Sequence, residues 1–261
     1  MQAEIILYII IFLYGIVIGS FLNVLIYRIP LKENIATDRS HCMTCGAQIK
    51  WHDLMPLFSY MVLRGKCRNC KAKISIQYPL IEGLNGLGWV LIFAVNGFSL
   101  LSILYSLAFS VLIVISVIDF RTYEIPFSLN AAIFMLAVVK LVLNYKGIID
   151  NYMYLLDYLI GFCAISGFML VVLYIGRAVK GVDAFGGGDI KLMAVAGLLI
   201  GLKNIILAFF IGCILGAVIH SVRMKVSGQD HVLAFGPYLC AGIFMSMICG
   251  SSIIGWYLGL F

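Results

Sequence analysis

The sequence is short of charge. Asp, Glu, Lys and Arg together make up 11% of its 261 residues, where soluble globular proteins carry about 25%. Acidic side chains number only twelve, few enough to be taken one by one. A chain with so little polar surface cannot cover a water-soluble core. That excludes a soluble enzyme, a disordered protein or a nucleic-acid binder as a reading of the whole chain, and the net charge of +6 does not reverse this. What is abundant is apolar: 63% of residues are hydrophobic and the mean hydropathy is +1.07. The apolar runs are too long for the ~10-residue alternating strands of a membrane barrel. The expected class is an all-α polytopic membrane protein.

Runs near 5–27, 80–96, 100–118, 127–143, 158–176, 204–222 and 232–249 have the length of a spanning helix. A shorter run, 190–201, carries one charge, Lys191, and makes an eighth span if its ends snorkel. The first run bears Glu4 where a signal peptide is positive and is longer than a signal's apolar core, so it reads as a retained anchor. Lys and Arg set the direction. Threading eight spans puts fifteen of the eighteen on one side, leaving Lys140, Lys146 and Lys203 on the other. The basic side is then the cytoplasm of a cell (cytoplasmic or inner) membrane, and the N-terminus lies outside. Three segments follow: a first transmembrane helix (1–30), a cytoplasmic insert (31–78) and a transmembrane helical bundle (79–261).

The insert contains Cys42-x-x-Cys45, then 21 residues, then Cys67-x-x-Cys70. Two thiolate pairs on two tight turns can close a tetrahedral structural Zn²⁺ site of the Cys₄ type. A piece this small has little core of its own, so a metal staple makes physical sense, and a cytoplasmic setting argues against disulfides. The expected fold of this piece is zinc-ribbon-like. His41 and His52 read as surface residues. Cys163, Cys213, Cys240 and Cys249 lie singly in apolar runs and read as small core side chains. Eight Lys and Arg stand against three carboxylates, Glu33, Asp38 and Asp53, in the insert, a balance that suits anionic lipid headgroups.

Most of the other carboxylates have plain explanations. Asp150 and Asp230 read as solvated, Glu124 as an interfacial charge, Asp183 as a loop carboxylate near Arg177 and Lys180, and Asp157 as the opening of a span. Asp119, Asp189 and Glu82 need more. Asp119 follows a long apolar run; alone, it could be an interfacial cap paired with Arg121. Asp189 ends Phe185-Gly186-Gly187-Gly188-Asp189; alone, it could be an N-cap on the helix that follows. Three glycines permit close backbone approaches, and an extended peptide could lie against them. Both aspartates fall at the cytoplasmic end of a span. Two carboxylates brought close cannot both ionise easily and hold one proton between them. One can then take a proton from an attacking water while the other donates to a carbonyl oxygen or leaving amine. No Ser or Cys sits in a recognisable nucleophile motif.

These residues resemble a known family. Gly186-Gly187-Gly188-Asp189 is similar to the GxGD signature of intramembrane aspartyl proteases, and the chain as a whole most resembles the type IV prepilin peptidases (leader peptidase/N-methyltransferases). Gly19-Ser20-Phe21-Leu22-Asn23 through Arg28-Ile29-Pro30 resembles the family's opening motif. The two CxxC pairs, with Trp51, Pro56, Ser59-Tyr60 and Arg64-Gly65-Lys66 between them, resemble its cysteine domain. Tyr78-Pro79-Leu80-Ile81-Glu82, Asp119 with Ile125-Pro126, and Asp189 with Lys191 resemble three further motifs in family order. Phe127 stands where many members have Asp, and Met43 where many have Pro. The resemblance implies a membrane aspartyl endopeptidase with Asp119 and Asp189 as its catalytic pair. Gly186, Gly187, Gly188 and Lys191 would form its substrate cleft. The implied substrate is a prepilin or pseudopilin with a basic leader, cut on the cytoplasmic side. Many members also N-methylate the new terminus with S-adenosylmethionine; no cofactor-binding Gly-rich loop is readable here, and Glu82 and Gly83 are the candidates for that activity. The rival functions are a transporter using the two aspartates as a proton relay and a non-catalytic pilin-assembly factor.

Overall fold

The computed structural model describes residues 2–35, 39–150, 152–181, 183–227 and 233–260. Asp38, Asp230 and the side chain of Asp150 lie outside the described residues. The described chain is helical and divides into two units, Met1–Val114 and Ile115–Phe261.

The first unit opens with α1 (Gln2–Leu31). Pro30 lies in its last turn, and the chain leaves the helix at once through Lys32, whose φ of 55° is left-handed. The insert follows, with one 3₁₀ turn (Trp51–Leu54) and a short helix α2 (Phe58–Val62). Next come α3 (Gln77–Asn96) and α4 (Leu100–Thr122), the last turns of α4 belonging to the second unit.

Small residues set how closely α1 and α3 approach. A Cβ built on Gly15 would stand 2.7 Å from the Cα of Gly86, and one on Gly19 would stand 2.8 Å from the Cα of Glu82. Gly15 and Gly19, four residues apart on α1, form a small-xxx-small face of the kind by which membrane helices pack closely, here against Gly86 and the backbone of Glu82. A buried polar ladder crosses the same unit. Asn85 Nδ2 donates to the Gly15 carbonyl at 2.7 Å, Ser110 Oγ donates to Asn85 Oδ1 at 2.8 Å, and Trp89 Nε1 donates to Ser110 Oγ at 3.0 Å.

The second unit contains α5 (Phe127–Leu143), α6 (Tyr145–Asp150), α7 (Tyr152–Lys180), α8 (Gly187–Ile200), α9 (Leu202–Ser227) and α10 (Gly236–Leu258). At its centre is α8, buried at every position from 192 to 200. Burial on all sides explains why that stretch is apolar all round. Its neighbour α7 meets it at glycines: a Cβ on Gly197 would come 2.1 Å from the Gly161 carbonyl oxygen. Its C-terminal end is capped by a buried cation. Lys140 Nζ donates to the Leu199 carbonyl at 2.6 Å and to Tyr158 Oη at 3.1 Å.

Six described helices are long and apolar enough to cross a membrane: α1, α3, α4, α7, α9 and α10. With the 17-residue α5 and the 14-residue α8, eight apolar helices correspond to the eight runs of the sequence. The chain is an all-α multi-pass membrane protein with a compact four-cysteine insert. Most helices extend a few residues past their apolar runs, and α10 ends at Leu258 rather than near 249. α7 begins at Tyr152 rather than near 158. α10 begins at Gly236 rather than near 232 because Pro237 occupies its first turn, the favoured place for a residue without an N–H.

Candidate functional site

Asp119 lies three residues before the end of α4 and is 4% exposed. Helix α4 then stops abruptly. Tyr123 adopts φ 57°, and its N–H bonds back to the Asp119 carbonyl at 2.8 Å. A non-glycine residue in the left-handed region is sterically costly. Here it turns residues 123–126 across the end of the helix. The carboxylate of Asp119 has a partner from far along the chain, the Gly236 N–H, which donates to Oδ2 at 2.9 Å. Gly236 opens α10, whose N-cap residue Phe235 supplies no side-chain cap. Asp119 therefore fills the role of an absent cap and meets the positive end of the α10 dipole. A Cβ on Gly236 would stand 2.7 Å from that same oxygen.

Asp189 is the third residue of α8 and is 8% exposed. It sits inside the first turn and reaches back to the backbone N–H of the N-cap residue, Gly186, as the acidic member of a capping box does. Its Oδ1 is buried and accepts no hydrogen bond from a described residue. Asp119 and Asp189 line a single cleft of ≈ 230 Å³ together with Tyr123, Glu124, Ile125, Gly186, Gly187 and Gly188.

The three glycines have different reasons to be there. A Cβ on Gly188 would lie 2.9 Å from Ile125 Cβ, one on Gly186 would lie 3.1 Å from Asp189 Oδ2, and one on Gly187 would meet nothing within 4 Å. None of them has a left-handed φ. Close approach, rather than unusual backbone dihedrals, explains Gly188, and Gly187 leaves its backbone open. Lys191 is exposed and does not line the cleft. Glu124 is exposed yet borders the cleft. Asp183 is paired with Arg177, Nη2 to Oδ2 at 2.9 Å. Gly236 was not singled out from the sequence. The signal that could have found it is Phe235-Gly236-Pro237, a helix start with no capping side chain.

In the insert, the two CxxC turns are built alike. Cys42 N–H donates to the Ala47 carbonyl at 2.9 Å, and Cys67 N–H donates to the Ala72 carbonyl at 2.8 Å. The residue after the second cysteine of each pair, Gly46 or Lys71, is left-handed, with φ 68° and 60°. Short antiparallel bridges, His41 with Gln48 and Lys66 with Lys73, close each turn. The four Sγ atoms lie within 4.8 Å of one another, Cys42 and Cys70 at 3.9 Å. A tetrahedron of sulfurs at the usual Zn–S length has edges of about 3.8 Å, so this donor set fits a structural Zn²⁺. Backbone N–H groups of Cys45 and Thr44 directed at the Cys42 sulfur pull its thiol down to about 6, favouring the thiolate that a metal needs. Arg68 clamps Asp53, Nη2 donating to Oδ1 at 2.6 Å and Nε to Oδ2 at 2.8 Å, and holds its carboxyl below the usual range.

Glu82 is buried in α3 and accepts the Leu57 N–H at 2.8 Å. A Cβ on the neighbouring Gly83 would meet nothing within 4 Å, whereas Gly86 packs against Phe12 and Ile16. With the Glu82 carboxylate engaged by the insert and Gly83 facing open space, these two residues form no enclosed cradle for S-adenosylmethionine.

Fold and site together define a class: a polytopic helical membrane protein with two carboxylates at one glycine-lined cleft. Comparison with known proteins sharpens it. Residues 13–95 match the bacterial peptidase A24 N-terminal domain and residues 106–221 match the type IV leader peptidase family. A protein of Vibrio cholerae named prepilin leader peptidase/N-methyltransferase is 35% identical over 84% of this chain and 88% of its own. Proteins of the same name from Bacillus subtilis and Legionella pneumophila are 31% and 29% identical, covering 95% and 97% of this chain and 97% and 95% of theirs. No solved structure gives a match. The chain belongs to the type IV leader peptidase family and is an enzyme of that family.

Proposed function

We propose that the protein is an aspartyl endopeptidase that removes the basic leader of prepilin-like proteins at the cytoplasmic face of the membrane. Asp119 and Asp189 are its catalytic pair. The observation that carries this reading is that the two carboxylates, 70 positions apart in sequence, line one cleft with the backbone of 186–188. The pair holds one proton, and the unpartnered Oδ1 of Asp189 offers a seat for it. One carboxylate takes a proton from water as the oxygen attacks the scissile carbonyl. The other gives its proton to the carbonyl oxygen. The C–N bond then breaks as the first carboxyl passes its proton to the leaving nitrogen, the new N-terminus, and the second recovers one from the gem-diol hydroxyl, so the pair again holds one proton. The Gly236 N–H holds Asp119 Oδ2 in place, and the open backbone at Gly187 accommodates an extended peptide.

The Cys42, Cys45, Cys67 and Cys70 site binds Zn²⁺ in a structural role, supplying cross-links that a small insert lacks. The division into an anchor (1–30), an insert (31–78) and a bundle (79–261), with the insert in the cytoplasm, is part of the same reading. Methylation of the new N-terminus is the second activity of this reading and rests on the names of the relatives; Glu82 and Gly83 by themselves do not enclose the cofactor.

The test is co-expression with a substrate carrying a basic leader, a Gly and an apolar helix, followed by intact mass. Wild type is expected to remove the leader, and Asp119→Asn and Asp189→Asn to slow removal by at least about 10²-fold. A further methyl mass reports the second reaction. Cleavage at wild-type rate by either variant overturns the assignment of the pair.

A further inference from the structure

The insert carries an apolar face that its own fold does not cover. Helix α2 buries none of its residues. Leu54, Met55, Phe58, Met61 and Val62 are 44%, 49%, 57%, 66% and 58% exposed, five large apolar side chains within nine residues. Inward contacts come from the opposite side of the helix, where Tyr60 Oη lies 2.9 Å from a Cβ built on Gly65. The cluster is thus on one side of a folded segment. A water-exposed patch of this kind marks an interaction surface.

Two observations identify what covers it. The first is depth. Leu57, immediately before α2, donates its N–H to Glu82 Oε2 at 2.8 Å. Glu82 is the sixth residue of α3, about 9 Å along a spanning helix from its start. The beginning of α2 is therefore tied to the entry turns of a membrane span, at the level where headgroups meet acyl chains. The second is charge. Lys50, Arg64 and Lys66 flank the apolar cluster and are exposed, whereas the nearby carboxylate of Asp53 is engaged by Arg68. Apolar side chains bordered by cations at the interfacial level have the composition of a segment lying in the plane of an anionic membrane.

We propose that residues 54–62 are a membrane foot. Met55, Phe58, Met61 and Val62 enter the lipid interface beside α3, and Lys50, Arg64 and Lys66 meet anionic headgroups. The foot holds the zinc-binding turns against the bilayer instead of leaving them on a free tether. This inference uses the membrane crossing of α1 and α3 and does not depend on the peptidase assignment.

The full-length protein in nanodiscs of mixed phosphatidylcholine and phosphatidylglycerol provides the test. Phe58→p-benzoylphenylalanine and, separately, Met61→p-benzoylphenylalanine are irradiated and their intact masses measured; Gln48, exposed in the first cysteine turn, serves as the control position. Retained zinc verifies that each variant is folded. Without any substrate, lipid-mass adducts at 58 and 61 are expected at least about fivefold above Gln48. Phosphatidylglycerol adducts are expected to fall toward its mole fraction when Lys50, Arg64 and Lys66 are changed to Gln. Adducts no more frequent than at Gln48 overturn the proposal. So do adducts that form only with a co-reconstituted prepilin-like helix, which would assign the face to the substrate instead.

Discussion

Gly188 and Gly187 are neighbours with the same side chain and opposite tolerance for a larger one. A methyl on Gly188 would stand 2.9 Å from Ile125 Cβ, within the segment that borders the cleft, and one on Gly187 meets nothing. Overpacking of that kind costs about 1–3 kcal/mol, and here it displaces a wall of the cleft. Gly188→Val is expected to lower leader cleavage by at least about tenfold and to lower the melting temperature, while Gly187→Ala leaves the melting temperature unchanged; cleavage rates and thermal melts in detergent check both. Asp53 makes a residue-scale prediction of a different kind. Arg68 holds the folded-state carboxyl below its unfolded value of about 3.9. A depressed carboxyl contributes stability that is present above the unfolded pKa and is lost as pH falls through the folded one. Hydrogen exchange of residues 51–70 should therefore be faster in Asp53→Asn than in wild type at pH 7. The difference should close below about pH 4. At this scale the sequence was informative where chemistry is concentrated. Two aspartates after apolar runs and four paired cysteines are rare enough to be noticed singly. Gly236 is legible only indirectly, through the uncapped helix start Phe235-Gly236-Pro237, because what it contributes is a backbone N–H.

Among the elements, α8 connects the site to the rest of its unit. Asp189 lies in its first turn and the Leu199 carbonyl, near its end, is capped by Lys140. From sequence alone Lys140 has only a side of the membrane, as one of three cations apart from the rest. The structure buries it at 7% exposure against Leu199 and Tyr158. Helix periodicity cannot reveal such a partner, since the carbonyl it meets is 59 positions away. Lys140→Met removes a charged donor from helix-end carbonyls that lack an intrahelical partner. The expected loss is about 1–3 kcal/mol, read as a lowered melting temperature of the purified protein, with the cleavage site intact in the residual folded fraction. The cysteine turns were legible for the contrary reason: their partners lie four to five residues away, and the spacing is the structure. Substituting Cys42→Ser is expected to abolish zinc retention and to expose residues 41–73 to exchange. Exchange within α7 to α10 should remain unchanged.

For the whole molecule, the open question of the sequence was whether run 190–201 crosses the membrane. Fourteen residues of helix rise about 21 Å, short of the ~30 Å hydrocarbon thickness. A lipid-facing helix of that length would leave its ends in hydrocarbon. α8 faces protein on every side from 192 to 200, and its two ends are served by a glycine turn and by Lys140. A buried short helix therefore joins two surfaces without matching the bilayer by itself. If it does so, the spans that follow keep the direction that puts Arg223 with the insert's cations; if it does not, α9 and α10 invert. Reporter fusions distinguish the two. A fluorescent protein inserted after Gly181 and one inserted at 228–231 should both fluoresce, as cytoplasmic fusions do. A phosphatase joined after Asn144 or at Leu202 should be active, as only exported fusions are. Phosphatase activity at 228–231 would mean that α8 does not cross, and would place Arg223 and the start of α10 on the side opposite Asp119. The 2.9 Å bond from Gly236 to Asp119 requires both at one level, so the topology and the site stand or fall on the same measurement.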